Sequence, residues 1–383
     1  MNKKYTGKQV IKAGEMFLED DIINSADEFD RAMDILSYWR FSHEVPLGKA
    51  LEILREITLK IDKTAIFAKR LKRYVSIVLK LKRFKQMKLK NMQDIGGCRA
   101  IVSTPKKLYK VARELKQRPE FKNSQGKIRH KDYIVNPKED GYRGYHIVGQ
   151  FKDEHGDKKD IEVQLRTNIQ HDWATALEIV DLFTGQALKS NRGDENWKRF
   201  FSSVSTQFAV MESIHLFNAL EDKEKYKLYV KQLNENPKAI ESFDGTRKYS
   251  EKLGVVEVFE AFTHSLKIVD GHLEKNSEAG YVLVEVDTTK KEVKTIFFKD
   301  SANKNAEKMY IEAEKRATEK NGIVVALVST TAVGGIKEAY PNYFADSTDF
   351  LKYLLFITNA PAQKINKMLS QPGSTVAKRG RLG

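Results

Sequence analysis

The stretch GYRGYHI (Gly141–Ile147), followed after a charged turn by IEVQLRT (Ile161–Thr167) and then QHDWA (Gln170–Ala174), decides how this chain folds. Between Ile161 and Arg166 apolar and polar residues alternate. Successive side chains of a strand point to opposite faces, so Ile161, Val163 and Leu165 belong to a core while Glu162, Gln164 and Arg166 share the other face. A carboxylate, an amide and a guanidinium in one row suit a site better than a solvated sheet face. Neighbouring segments supply the partners such a strand needs. Ile95 to Val102 reads as a strand, residues 105–117 as a helix, and Tyr133 to Val135 and Tyr145 to Phe151 as further strands. Gln170 to Phe183 reads as a helix with Ile169, Trp173, Leu177 and Val180 on its apolar side. Strand and helix signals alternate around the row, and the class expected is α+β.

Upstream, residues 8–62 carry two or three amphipathic patterns, with Pro46 restarting the periodicity, and are expected to be packing helices. Downstream, helices are expected at about 195–218, 221–234 and 250–268. A second unit is expected to begin near Gly271, where a polar stretch precedes GYVLVEVD, a Thr-Thr-Lys-Lys turn and EVKTIFFKD, the pattern of a hairpin. A charged helix from about Asn303 to Lys320, a strand GIVVALVST and a last amphipathic helix from about Ser347 follow, and the tail from Gln371 is expected to be disordered. The divisions are 1–62, 63–270, 271–346 and 347–383, with a β-β-α-β order in the third.

The chain has 383 residues, a formal net charge of +15 and one cysteine, Cys98, which rules out an internal disulfide and a multi-cysteine zinc site and fits a reducing cytosol. The N-terminal residues lack the apolar core of a secretion signal, and no apolar run reaches membrane length, so a cytoplasmic protein without a membrane partner is expected. The positive charge points to a polyanionic partner. From Lys63 to Gln93 there are eleven Lys and Arg and no acid. Tyr74, Ile77, Val78 and Leu81 fall at helical spacing as a buried stripe, which sets Lys69, Lys72, Ser76, Lys80 and Arg83 on the opposite face. An acid-free cationic ladder repels itself unless an anion lies along it, so phosphate binding is expected ahead of a merely solvated surface.

Five strings in order now carry a resemblance: R-x-K-x3-S-x3-K (Arg70, Lys72, Ser76, Lys80), D-I-x-G-x-R (Asp94 to Arg99), D-Y-I-x2-P-K (Asp132 to Lys138), G-Y-R-x-x-H (Gly141 to His146) and E-x-Q-x-R-T (Glu162 to Thr167). Together they resemble the synthetase domain of the RelA/SpoT family, with a mixed-sheet, nucleotidyltransferase-like core flanked by helices. That family moves the β,γ-pyrophosphate of ATP onto a ribose 3′-hydroxyl, usually that of GDP or GTP. By resemblance, Arg70 and Arg99 sandwich the adenine, a task suited to planar guanidinium. Lys72, Ser76 and Lys80 contact phosphates. Asp94 and Glu162 are implied as the catalytic carboxylates that hold Mg²⁺, and Glu162 as the acceptor of the hydroxyl proton. Tyr142 is implied as the platform for the acceptor base, with Lys138, Arg143, His146, Gln164 and Arg166 on the same side. Where the family has DIAG and YRSxH, this chain has DIGG and YRGYH; Gly97 and Gly144 remove a methyl and a hydroxyl but no charge. His171-Asp172 has the form of a metal-hydrolase pair but no matching upstream histidine, and His171 is expected to be structural.

The region beyond the synthetase strings resembles, more coarsely, the fused toxin-antitoxin members called CapRel, in which a pseudo-zinc-finger domain restrains a toxic synthetase. That resemblance implies an autoinhibited enzyme that pyrophosphorylates the 3′-CCA end of tRNA and is released by a phage protein such as the major capsid protein. Tyr340 and Tyr343, in Tyr340-Pro-Asn-Tyr343, are the expected autoinhibitory residues, because a phenol ring stacks on guanidinium much as adenine does. A surface turn shaped by Pro341 and Asn342 is the plainer reading. An alarmone synthetase using GDP or GTP with a regulatory C-terminal region is the alternative, and a catalytically inactive RNA-binding module is a third reading.

Overall fold

The computed structural model describes residues 5–19, 26–72, 74–184, 188, 193–260, 280–287, 290, 292–299, 302–318, 323–329 and 343–360. The chain divides into two compact units, the first made mainly of residues up to Lys138 and from Tyr142 to Thr175, the second mainly of those from Ala176 onward.

In the first unit, α1 (Gly7–Met16), α2 (Ala26–Phe41) and α3 (Glu44–Ile61) precede the sheet. Thr6 and Gln9 form a reciprocal capping box that starts α1. The sheet contains β1 (Ile66–Leu71), β2 (Gly96–Val102), β3 (Arg129–Asp132), β4 (Tyr145–Lys152) and β5 (Lys158–Thr167), with α4 (Tyr74–Arg83) and α5 (Pro105–Gln117) in the connections and α6 (Asn168–Thr184) leaving β5. Its order is β1-β2-β5-β4-β3. The central pair β2–β5 is parallel and the other pairs are antiparallel, so the α+β class with a mixed sheet is observed.

The alternation in Ile161–Arg166 works as the sequence requires. Ile161, Val163 and Leu165 are buried with Cys98, Ala100, Val102, Tyr145 and Ile147, and α3 and α5 cover that face through Leu47, Ala50, Leu54, Leu108, Val111 and Leu115. Each fully buried aliphatic side chain contributes about 1.5–3 kcal/mol by leaving water. Thr104 caps α5 by accepting from the Lys107 N–H, and Pro105 fits its first turn. A second cluster joins Val10, Phe17 and Leu36 to Ile77, Leu81, Leu89, Met92 and Ile95. Asp62, just after α3, is buried and accepts from Thr64 N and Oγ1 and from Ser103 N and Oγ, with Lys107 Nζ at 3.1 Å. It ties the end of α3 to the end of β2.

Four expectations are corrected. The basic run is not one helix: Ile66–Leu71 is a strand paired antiparallel with β2, and helix begins only at Tyr74. Strand pairing with β2 overrides the helical periodicity, so Lys69, Arg70 and Lys72 do not share a helix face with Lys80. Tyr133 to Val135 is a turn, because Asp132 Oδ1 accepts from the Ile134 and Val135 N–H groups and closes the chain back on itself. The helix expected to 218 is α7 (Glu195–Ser213), followed by a 3-10 turn at Phe217–Ala219. The helix expected to run from 250 is broken at Gly254, whose φ of 55° is left-handed: its first residues end α9 (Pro237–Leu253), which Asn236 and Pro237 start, and helix resumes over 255–260. The residues beyond 260 in that expectation, the start of the second unit near Gly271 and the tail from Gln371 lie outside the described residues.

The second unit contains α7, α8 (Asp222–Asn234) and α9, then β6 (Gly280–Asp287), β7 (Glu292–Lys299), α10 (Asn303–Thr318), β8 (Ile323–Ser329) and α11 (Tyr343–Thr358). The strands form a separate sheet of order β7-β6-β8, with β6 and β7 a hairpin, so the β-β-α-β order is observed. Phe350 of α11 is buried among the rings of Phe200, Phe201, Phe208 and Phe259.

Candidate active site

Registers across the first sheet build the site. Arg70 lies opposite Gly97, and Gly97 opposite Glu162; in the next row Ala68, Arg99, Gln164 and His146 follow one another. Cross-strand partners project to the same side, so the face away from α3 and α5 gathers Arg70, Arg99, Glu162, Gln164, His146 and Arg166. A cleft open to solvent is lined there by Lys69, Arg70, Lys72, Asp94, Arg99, Glu162 and Gln164, together with Ala68, Gly97 and Cys98. A Cβ on Gly97 would stand 3.5 Å from the Glu162 carbonyl oxygen, an ordinary contact, so a methyl group is accommodated there.

Asp94 enters from the turn before β2. Lys72 N–H donates to the Ile95 carbonyl at 2.7 Å, which fixes the chain after β1 beside that turn. Lys72 Nζ then donates to Asp94 Oδ2 at 2.9 Å, and Lys80 Nζ, from α4, to Oδ1 at 2.8 Å. The ladder expected to repel itself is therefore met by a carboxylate from another element. Lys69 is likewise paired, with Glu44 at 3.3 Å. Burial alone would raise the Asp94 carboxyl, but Lys72 and Lys80 outweigh it and hold the group below the usual carboxylate range; burial lowers Lys72.

Glu162 heads a second network. Its Oε1 accepts from His146 Nδ1 at 2.9 Å and its Oε2 from Gln164 Nε2 at 2.7 Å. His146 Nε2 meets Tyr142 Oη at 2.6 Å, and Arg166 Nε and Nη2 donate to that same oxygen at 3.3 and 3.1 Å. An ionised carboxylate only accepts, so Nδ1 of His146 carries a proton. Burial works against charge on the imidazole, but Tyr142 and Glu162 prevail and raise it to about 9. Burial is likewise outweighed at Glu162, which His146 and Gln164 hold well below its ordinary value, and at Tyr142, which Arg166 and His146 lower. Burial pushes the Cys98 thiol up to about 12, so it is not a nucleophile at neutral pH.

The remaining residues fall into place around these two networks. Lys138 is exposed, with its ammonium over the ring of Tyr142. Arg143 Nη1 donates to the Ile134 carbonyl at 2.8 Å and braces the β3–β4 connection. Ser76 is exposed on α4, outside the cleft lining. His171 and Asp172 are buried on α6. Tyr340 lies outside the described residues; Tyr343 begins α11, but its side chain lies outside them too. Tyr133, which the sequence placed in a strand and in the D-Y-I-x2-P-K string without a role of its own, proves to be a neighbour of Tyr142 and His146.

The cleft fits a magnesium ion by its donor set. Mg²⁺ binds one or two carboxylates and keeps waters or phosphate oxygens in its other positions, and Asp94 and Glu162 supply two carboxylates. Among the described residues no group of three His, Cys, Asp or Glu could form an all-protein cage.

Residues 69–179 match the family described as the region found in RelA / SpoT proteins. This RelA/SpoT-like stretch contains both networks and every lining residue of the cleft except Ala68. The GTP pyrophosphokinase YwaC of Bacillus subtilis (strain 168) is 33% identical over 115 residues, which are 28% of this chain and 52% of that protein. The chain thus spans about half the length of that curated relative. Among solved structures, the small alarmone synthetase 1 of Bacillus subtilis bound to its product pppGpp is 24% identical, with 44% of this chain and 90% of that one covered and a TM-score of 0.37. A GTP pyrophosphokinase family protein from Streptococcus pneumoniae is 20% identical, with 51% and 96% covered and a TM-score of 0.40. Among the described residues no helix is long and apolar enough to cross a membrane.

Proposed function

We propose that the protein is an ATP-dependent pyrophosphokinase that transfers the β,γ-pyrophosphate of ATP to a ribose 3′-hydroxyl. The observation that carries this is the cleft itself, where Arg70, Lys72 and Arg99 stand beside the carboxylates Asp94 and Glu162. Phosphoryl-type transfer asks a protein for alignment and charge neutralisation, and this set supplies both. The 3′-oxygen attacks the β-phosphorus, the bond between that phosphorus and the α,β-bridging oxygen breaks, and AMP leaves. Glu162, held ionised and aimed by His146 and Gln164, takes the hydroxyl proton. Lys72 and Lys80 exchange Asp94 for phosphate oxygens, while Arg70 and Arg99 hold the adenine. When bound, Mg²⁺ at Asp94 and Glu162 neutralises charge on the transferred group.

For the acceptor we propose the 3′-CCA end of tRNA, so that transfer stops translation. The net charge of +15 supports this, since contact with an RNA backbone is made by Lys and Arg. In the same proposal the β6–β8 region is a pseudo-zinc-finger antitoxin that holds Tyr340 and Tyr343 against the adenine site until a phage protein, such as the major capsid protein, binds it. Its support is the β-β-α-β order and the Tyr-Pro-Asn-Tyr sequence. The second reading, a GDP or GTP acceptor, is favoured by the name of the Bacillus subtilis relative.

The test offers γ-³²P-labelled ATP and Mg²⁺ to the full chain with bulk tRNA or with GDP. Label on tRNA, increased when Tyr340 and Tyr343 are both replaced by alanine, is the expected result. Label on GDP alone establishes the second reading, and no label on either acceptor, with or without the two replacements, removes the enzymatic one.

A further inference from the structure

Beside the cleft, three rings meet edge to face. Tyr133 and Tyr142 have centroids 5.9 Å apart at 70°, Tyr133 and His146 5.2 Å at 87°, and Tyr142 and His146 5.6 Å at 86°. The two phenol faces form a corner, and the Lys138 ammonium sits in it, 4.7 Å from both centroids. Tyr133 is part-buried and Lys138 exposed.

The corner is rigidly mounted. Tyr133 N–H donates to the Gly144 carbonyl at 2.9 Å and Lys138 N–H to the Tyr142 carbonyl at 3.2 Å. Asp132 Oδ1 closes the turn through the Ile134 and Val135 N–H groups, and the Tyr109 hydroxyl donates to the same carboxylate. Arg143 fixes the turn from the other side through the Ile134 carbonyl. Tyr142 is held by its oxygen through His146 and Arg166. These backbone and side-chain anchors hold two π-faces at a fixed angle; the exposed Lys138 lies over both rings, and Arg166 lies over Tyr142 at 5.0 Å.

We propose that Tyr133 is the second wall of the acceptor subsite, and that Lys138 occupies the corner as a placeholder until an aromatic base displaces its ammonium. A base stacked on one phenol presents its edge to the other, the arrangement aromatic pairs prefer. The displaced ammonium, still tethered beside the base, then pairs with the phosphate next to it, so the charge lost from the rings is regained on the acceptor. The His146 contact shared by both tyrosines and Glu162 places this corner next to the group assigned the hydroxyl proton. The inference rests on the pyrophosphokinase reading for the identity of the base as an acceptor's. Arg143 is here a positioning residue, acting through the turn that carries Tyr133.

The experiment is equilibrium binding of GDP and of a CCA-ended RNA hairpin to the full chain, with no turnover required. Base–aromatic stacking lost to alanine weakens binding by roughly five- to a hundredfold. Tyr133→Ala is expected to weaken the acceptor probe that binds by at least fivefold while ATP affinity stays unchanged, and Tyr133→Phe to restore it. If Tyr133→Ala does not fold, Tyr133→Leu, which keeps apolar bulk without a π-face, is expected to show the same selective loss. An unchanged acceptor affinity, or equal losses for acceptor and ATP, overturns the inference and leaves the pyrophosphokinase reading standing. Failure of the unaltered protein to bind either probe removes the acceptor site and with it both statements.

Discussion

Replacing Asp94 with asparagine separates two roles that its two lysines play. Asp94 Oδ1 and Oδ2 each accept from one ammonium, at 2.8 and 2.9 Å, and the three side chains are only 17–28% exposed. In the ligand-free protein the carboxylate competes with any phosphate for those ammonium groups. A phosphate on the far side of one of them lies about 6 Å from the carboxylate. Repulsion between unit charges at that separation is about 1–3 kcal/mol for effective dielectric constants of roughly 20–60. Removing the carboxylate charge is therefore expected to tighten metal-free ATP binding by roughly 5- to 150-fold. The same change removes one of the two carboxylates proposed to hold Mg²⁺, and on that proposal transfer is expected to fall by about a hundredfold or more. The assay is calorimetric titration of ATP into Asp94→Asn in EDTA, beside the transfer assay. Weaker metal-free binding in a variant whose urea midpoint is close to that of the unaltered protein would refute the reasoning, and would mean that Asp94 aims the lysines at phosphate instead of withholding them.

Two further outcomes test the frame around the site. Asp62→Ala strips a common acceptor from Thr64, Ser103 and Lys107, and is expected to cost about 3 kcal/mol in urea unfolding. Because Asp62 is depressed when folded, its stabilisation is present above its unfolded value of about 3.9 and is lost as pH falls below it; the variant should lose less stability across that range. In the second unit, Phe350→Ala opens a cavity among four phenylalanine rings and is expected to destabilise by about 3–5 kcal/mol, read as a lower urea midpoint for that unit.

What the sequence disclosed depended on the range of the forces involved. Period-two alternation in Ile161–Arg166 and the Thr104-Pro105 helix start are local signals, and both are realised in the structure. Ile66–Leu71 was illegible because an edge strand rich in Lys and Arg fits a helical pattern equally well, and only pairing with β2 decides it. Tyr133–Val135 has strand-forming residues, yet one carboxylate at Asp132 turns the chain. The missed start of α9 carried a signal, Asn236-Pro237 with Gly254 at the far end. The pairing of Lys72 and Lys80 with Asp94 could not be read from the basic run alone, because their partner comes from the turn before β2. The network from Glu162 through His146 to Tyr142 likewise exists only once β4 lies on β5.

The parallel pairing of β2 with β5 also sets when the cleft comes into being. These strands are separated in the chain by α5, β3 and β4, so their alignment closes a long loop, and contacts of that kind form slowly. Asp94 precedes β2 and Glu162 sits within β5, so a nascent chain that has not yet exposed Lys158–Thr167 holds only one of the two carboxylates. The carboxylate pair of the cleft is therefore complete only after β5 has been made and docked on β2.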